Sequence, residues 1–217
     1  MTTVRTYRDD GPLSLALGHA AGGRLPPLPV AVLAAAAAGV LLAAGPQPGT
    51  RLGPEPAVFA PLIVLLLAGP ASRSPHAGRL DWLVPPILRG IEYGYLAVLG
   101  DARAVPAPLV YVLLTVLALH HYDAAYRTRQ GRRPPRWARL AGLGWEGRML
   151  FTAFAGVFAP LPFAYAALAA YLGVLSGGES AATRARHGSA GGVTIDLTKK
   201  LSGGVGDGPH GEREKKA

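Results

Sequence analysis

Five apolar runs separated by arginine-bearing segments constrain this chain more than any other feature. The runs cover residues 28–44, 57–71, 81–99, 105–121 and 149–175. A helix rises about 1.5 Å per residue, so roughly 20 apolar residues cross a hydrocarbon core ~30 Å thick. Helices satisfy their own backbone polar groups in such a medium, whereas an open sheet edge does not. The expected fold is therefore all-α: a polytopic membrane helical bundle with about five transmembrane segments. Residues 1–25 read as a flexible cytoplasmic lead, 26–175 as the membrane domain and 176–217 as a disordered tail. Within the tail, a short ordered piece is expected near Val193 to Leu197.

The chain carries 22 Lys+Arg against 13 Asp+Glu, a formal charge of +9. On a soluble domain this balance would suggest nucleic acid. Here the bases lie between and after apolar runs, so the expected partners are the bilayer and its anionic lipids, not nucleic acid. Every base up to Arg186 is arginine, and lysine begins only at Lys199. That usage, with abundant Ala, Gly and Pro, suggests a GC-rich bacterial source. The absence of cysteine excludes disulfides, thiolate nucleophiles and zinc–thiolate sites. No cleavable signal is expected, because Pro26, Pro27 and Pro29 interrupt the approach to a first run that starts late.

The segment 122–148 holds Arg127, Arg129, Arg132, Arg133, Arg136, Arg139 and Arg148. By the positive-inside rule it is cytoplasmic, which puts the N-terminus and the 72–80 loop on the same side. The expected location is a bacterial plasma membrane, multi-pass, with the N-terminus cytoplasmic. The run 149–175 contains Pro160 and Pro162 and is read as one kinked span. A re-entrant hairpin is its alternative, and would return the basic tail to the cytoplasmic side.

This topology gathers polar groups on one membrane face. Asp81 opens the third run; His120, His121 and Asp123 close the fourth; Trp145, Glu146 and Arg148 precede the fifth. His120, Asp123 and Arg127 share a helix face by spacing, so Asp123 can orient an imidazole or pair with Arg127. Arg89 and Glu92 lie deeper and, three residues apart, can pair within one helix. Gly142, Gly144 and Gly147 read as a tight turn into the fifth helix. The candidate cluster is therefore Asp81, Arg89, Glu92, His120, His121, Asp123, Glu146 and Arg148, with no individual roles assigned. Carboxylates and imidazoles would suit a divalent metal such as Mg, and arginines would suit phosphate. No Walker loop, His-Glu-x-x-His or Gly-x-Ser-x-Gly motif is present.

Several of these segments resemble a known family. They are Arg79-Leu-Asp-Trp-Leu-Val-Pro-Pro86 with Arg89 and Glu92-Tyr93, then His120-His121-Tyr122-Asp123, then Gly144-Trp145-Glu146-Gly147-Arg148. Together they resemble an uncharacterised actinobacterial integral membrane domain, domain-of-unknown-function family 5941, over roughly residues 75–175. The resemblance implies association with CDP-alcohol phosphatidyltransferases, and hence a place in phospholipid or phospho-polyol synthesis at the cytoplasmic leaflet. The Asp-rich signature of those transferases is absent, so transfer by their mechanism is not expected. Three expectations stay open: an accessory subunit, an independent membrane enzyme acting on a phosphorylated lipid through Asp81, Asp123 and Glu146, and a small transporter using Arg89 and Glu92.

Overall fold

The structure is a computed structural model that describes residues 8–44, 56–75, 78–130, 141–158 and 160–190. Seven α-helices are described, and no strand occurs among the described residues. They are α1 (Pro12–Ala20), α2 (Pro27–Ala43), α3 (Ala60–Ala68), α4 (Val84–Ala102), α5 (Ala107–Arg129), α6 (Gly144–Phe158) and α7 (Leu161–Ala190). Residues through Glu179 form one compact unit and Ser180 begins a second, into which α7 runs as helix to Ala190.

Proline sets where several helices begin. It lacks a donor that the first turn would leave unpaired, and its fixed φ is already helical. Pro12, Pro27, Pro85 and Pro108 all stand at such positions. Arg127 and Arg129 lie in the last turn of α5, where the helix dipole favours positive charge.

α2 packs against α3 and α4. Its stripe Ala31, Ala34 and Ala38 is buried, and these small side chains let the backbones approach closely. α4 also meets α5 and α6, which makes it the centre of the first unit. α5 turns Leu113, Leu117 and His121 inward, one residue per turn. α7 docks on α4 through the Tyr165 hydroxyl, which donates to the Leu96 carbonyl at 2.6 Å.

Two helical stretches are long and apolar enough to cross a membrane, Ala107–Arg129 and Leu161–Gly178. Pro27–Ala43 and Pro56–Ala71 are shorter apolar helices. The expected run 57–71 is in fact a 3₁₀ turn (Pro56–Phe59), the short α3 and a second 3₁₀ turn (Gly69–Ala71). The third run opens with a 3₁₀ turn at Asp81–Leu83 and then continues as α4.

Three boundaries differ from the sequence reading. The run 149–175 is not one kinked helix. Pro160 removes a backbone donor, so α6 ends at Phe158 and a new helix starts at Leu161, with Pro160 accepting from Phe163 and Ala164. The basic segment also begins later than expected, because α5 stays helical to Arg129; Arg132, Arg133, Arg136 and Arg139 lie outside the described residues. In the tail, α7 carries helix through Ala190, while 191–217, with Val193 to Leu197, lie outside the described residues.

The lead differs most. Residues 8–20 are folded into the first unit. α1 packs against α3, α6 and the turn at Gly69–Ala71. Arg8 donates to the carbonyls of Ala68 (2.9 Å) and Ala71 (3.2 Å), where α3 gives way to that turn. The Ser72 hydroxyl donates to the Ser14 carbonyl at 2.7 Å.

Candidate functional site

One turn of α6 organises the polar interior. The chain enters α6 through Leu143 and Gly144, both in the left-handed region (φ 61° and 64°). Gly144 abuts Gly11, and a Cβ there would lie within 3.0 Å of Gly11 backbone atoms. This is the tight turn expected at the glycines. It aims Trp145, Glu146 and Arg148 at the N-terminal segment.

Glu146 caps α1. Its carboxylate accepts from the amides of Gly11 (3.0 Å) and Ser14 (3.1 Å). These are orphan donors of the first turn, and no side chain within α1 satisfies them. Burial pushes the Glu146 carboxyl above its ordinary value, against the downward pull of those amides. Trp145 donates its indole N–H to Asp10 at 3.1 Å and its backbone amide to the Asp9 carbonyl at 3.2 Å. Arg8 holds the other side of Asp10 at 2.8 Å.

Arg148 is fully buried. Its Nε donates to Glu92 at 2.6 Å and its Nη1 to the Gly142 carbonyl at 2.7 Å. Its Nη2 donates both to Glu92 (3.2 Å) and to Asp9 (2.7 Å). Glu92 is thus gripped by two guanidinium nitrogens, the geometry that makes arginine–carboxylate pairs strong.

His121 joins this pair from α5. Its Nδ1 is 2.8 Å from the Tyr93 hydroxyl, and its Nε2 is 3.3 Å from Asp9 Oδ2 and 3.2 Å from the Arg148 Nη2. Counting hydrogens places one proton on the ring. Both hydrogens of that Nη2 already point at carboxylates, so Nε2 carries a proton and donates to Asp9. The Tyr93 hydroxyl and Nδ1 share the other hydrogen bond of the ring. Asp9 Oδ2 receives two donors, from Arg148 and from His121.

Burial pushes the Asp9 carboxyl up, but Arg148 first and then His121 outweigh it and hold it well below the usual range. A group depressed in the folded state lends stability above its unfolded value and loses it as pH falls. Asp9 should therefore stabilise the fold fully above the ordinary 3.8 and progressively less below it. Thermal midpoints of wild type and Asp9→Asn, compared across pH, should converge on the acid side. A constant gap down to the lowest pH would refute the assignment.

The sequence candidates divide. Glu92, His121 and Arg148 meet in one network. Glu146 lies behind it as a helix cap. Arg89 is half-buried and lines a small pocket with Arg8, Asp9, Pro85, Leu88, Glu92, His121 and Trp145. Arg89 does not pair with Glu92, because Arg148 has taken that carboxylate. Asp81 accepts from the nearby Gly78 amide at 2.8 Å. Asp123 pairs with Arg127, as the four-residue spacing suggested, but among the described residues it bonds no imidazole. His120 faces α7, with Nδ1 3.1 Å from the Ser176 hydroxyl.

Asp81, Asp123 and Glu146 are thus engaged separately. Among the described residues no three His, Cys, Asp or Glu side chains come together as a set that could hold a metal ion. The donor set proposed for Mg from the sequence is not assembled. Sequence reasoning missed Arg8, Asp9 and Asp10. Their one signal is an adjacent acidic pair in an otherwise basic lead, too short to carry any periodicity.

No curated protein and no solved structure matches the chain. The resemblance seen in the sequence is confirmed and extends further toward both ends: over residues 2–193, which include α1 and every member of the buried network, the chain belongs to the family of unknown function DUF5941.

Proposed function

We propose that the chain is a multi-pass protein of the plasma membrane, with its N-terminus cytoplasmic, that serves as an accessory subunit in phospholipid or phospho-polyol synthesis. The observation that carries the membrane part is an inverted distribution of polarity. Arg148, Glu92 and Glu146 are 0% exposed, while Phe158 and Phe163 are 72% exposed and Val174 76%. Val40, Leu66, Tyr111 and Phe154 are also turned outward. In water such a surface is a liability, since large apolar patches mark interaction sites or aggregation. In lipid it is the stable arrangement, with ionisable groups facing the bundle interior and paired there.

The accessory part rests on the site. Its carboxylates are committed to guanidinium, amide and indole donors, which suits a scaffold that positions a partner better than a metal-dependent catalyst. The resemblance to a family associated with CDP-alcohol phosphatidyltransferases suggests that partner. The test is capture of the tagged chain from bacterial membranes in mild detergent, with mass spectrometry of bound proteins and lipids. Recovery of a CDP-alcohol transferase is the expected result. Recovery of the chain alone, with turnover of a phosphorylated lipid by the purified protein, would replace this reading with that of an independent enzyme.

A further inference from the structure

Asp9 stands where a ligand could stand. Among the described residues its carboxylate is the part of the Arg148–Glu92–His121 network contributed by the N-terminal segment; the other three come from helices of the bundle. It receives one N–H from Arg148 at 2.7 Å and one from His121 at 3.3 Å. A fully buried guanidinium and an imidazole aimed at one oxygen make an anion seat. Beside it, Arg89 lines the same pocket, half-buried, with no ion-pair or hydrogen-bond partner among the described residues.

We infer that Arg148, His121 and Arg89 form a binding site for a phosphate mono- or diester, and that Asp9 closes it as a built-in substitute for the ligand. The charges support the exchange. Arg8 and Asp10 pair with each other, so they leave with the segment as a neutral unit. Among the fixed charges what remains is Arg89, Arg148 and Glu92, one positive charge in excess. A phosphodiester monoanion restores the balance that Asp9 provides. A phosphate monoester carries further oxygens for the imidazole and for Arg89. Glu92 does not block the site, because the Arg148 fork holds it. Arg89 is explained as well. Asp9 reaches only two of the three donors, and a phosphate has the additional oxygens to engage the third. As seated, the pocket is closed to a phosphate by the segment itself, since Arg8 and Asp9 form part of its wall.

The seat rests on the same cluster as the proposed role. Its test reads binding by the isolated chain rather than capture of a partner, so the two can fail separately. The full chain is placed in phosphatidylcholine nanodiscs and titrated with inorganic phosphate, and in parallel placed in nanodiscs containing phosphatidic acid. Amide hydrogen exchange is followed over residues 8–20. Exchange there should speed up in at least one arm. Response to inorganic phosphate indicates a soluble phosphate ligand; response to phosphatidic acid alone indicates a lipid head group. Asp9→Ala should bind the active probe on the order of tenfold more tightly, because the competing closed state is lost. Adding Arg89→Gln should abolish the gain. Unchanged exchange in both arms would overturn the inference, as would a folded Asp9→Ala that gains no affinity or a gain indifferent to Arg89→Gln. Should Asp9→Ala fail to insert, exchange in the wild-type chain decides alone.

Discussion

Arg148→Met should cost the protein most of its stability. The substitution removes a cation that two carboxylates and a carbonyl share in the interior. Glu92 and Asp9 would then be buried without a counter-charge. Breaking a buried pair by deleting one partner costs about 3–5 kcal/mol, which for a chain of this size lowers the melting midpoint by about 6–20 °C. Circular dichroism melting in detergent measures it. The informative control is the triple variant Asp9→Asn, Glu92→Gln, Arg148→Met. Removing all the charges together should recover a large part of the loss, since a buried ion pair contributes little net stability against a neutral replacement. A single Arg148→Met variant that melts within about 2 °C of wild type would show that the guanidinium is not buried as described.

Gly144→Ala should come second and act differently. The residue sits at φ 64°, where a Cβ is strained, and the added carbon would meet Gly11 backbone rather than a flexible side chain. Strain of this kind costs about 1–3 kcal/mol, and the clash adds to it. The damage should be local. Gly11 and Glu146 would move apart, α1 would lose its cap, and residues 8–20 would exchange amide hydrogens faster while α4 and α5 keep their protection. Equal protection across the chain in wild type and variant would argue against the Gly11–Gly144 contact.

The helices were legible in the sequence wherever apolar runs and prolines agreed. α2, α4 and α5 fall close to the expected runs, and Pro27, Pro85 and Pro108 mark their first turns. The break at Pro160 was visible as a residue but not as an outcome, because a kink and a stop leave the same trace in composition. How many runs span a bilayer was not legible from length alone: α3 covers only Ala60–Ala68 as α-helix. At the site, the cost of burying a charge singled out Glu92, and helical spacing named Arg89 as its partner where the structure has Arg148. Arg89 is close in sequence; Arg148 is 56 residues away and wins because it is buried with Glu92 and grips it with two nitrogens. Asp9 was invisible for the same reason. Its partner lies 139 residues downstream, and nothing in a short polar lead signals a contact at that range.

That separation governs the order in which the molecule can be completed. Trp145, Glu146 and Arg148 leave the ribosome about 135 residues after Asp9, Asp10 and Gly11. At about 5–20 residues per second, the wait is on the order of ten seconds. Through that interval α1 has no cap for its first turn, and Asp9 lacks the guanidinium that holds its carboxylate. Residues 8–20 are therefore made well before they can be seated, and their seating reports that the chain as far as α6 has been made and has folded.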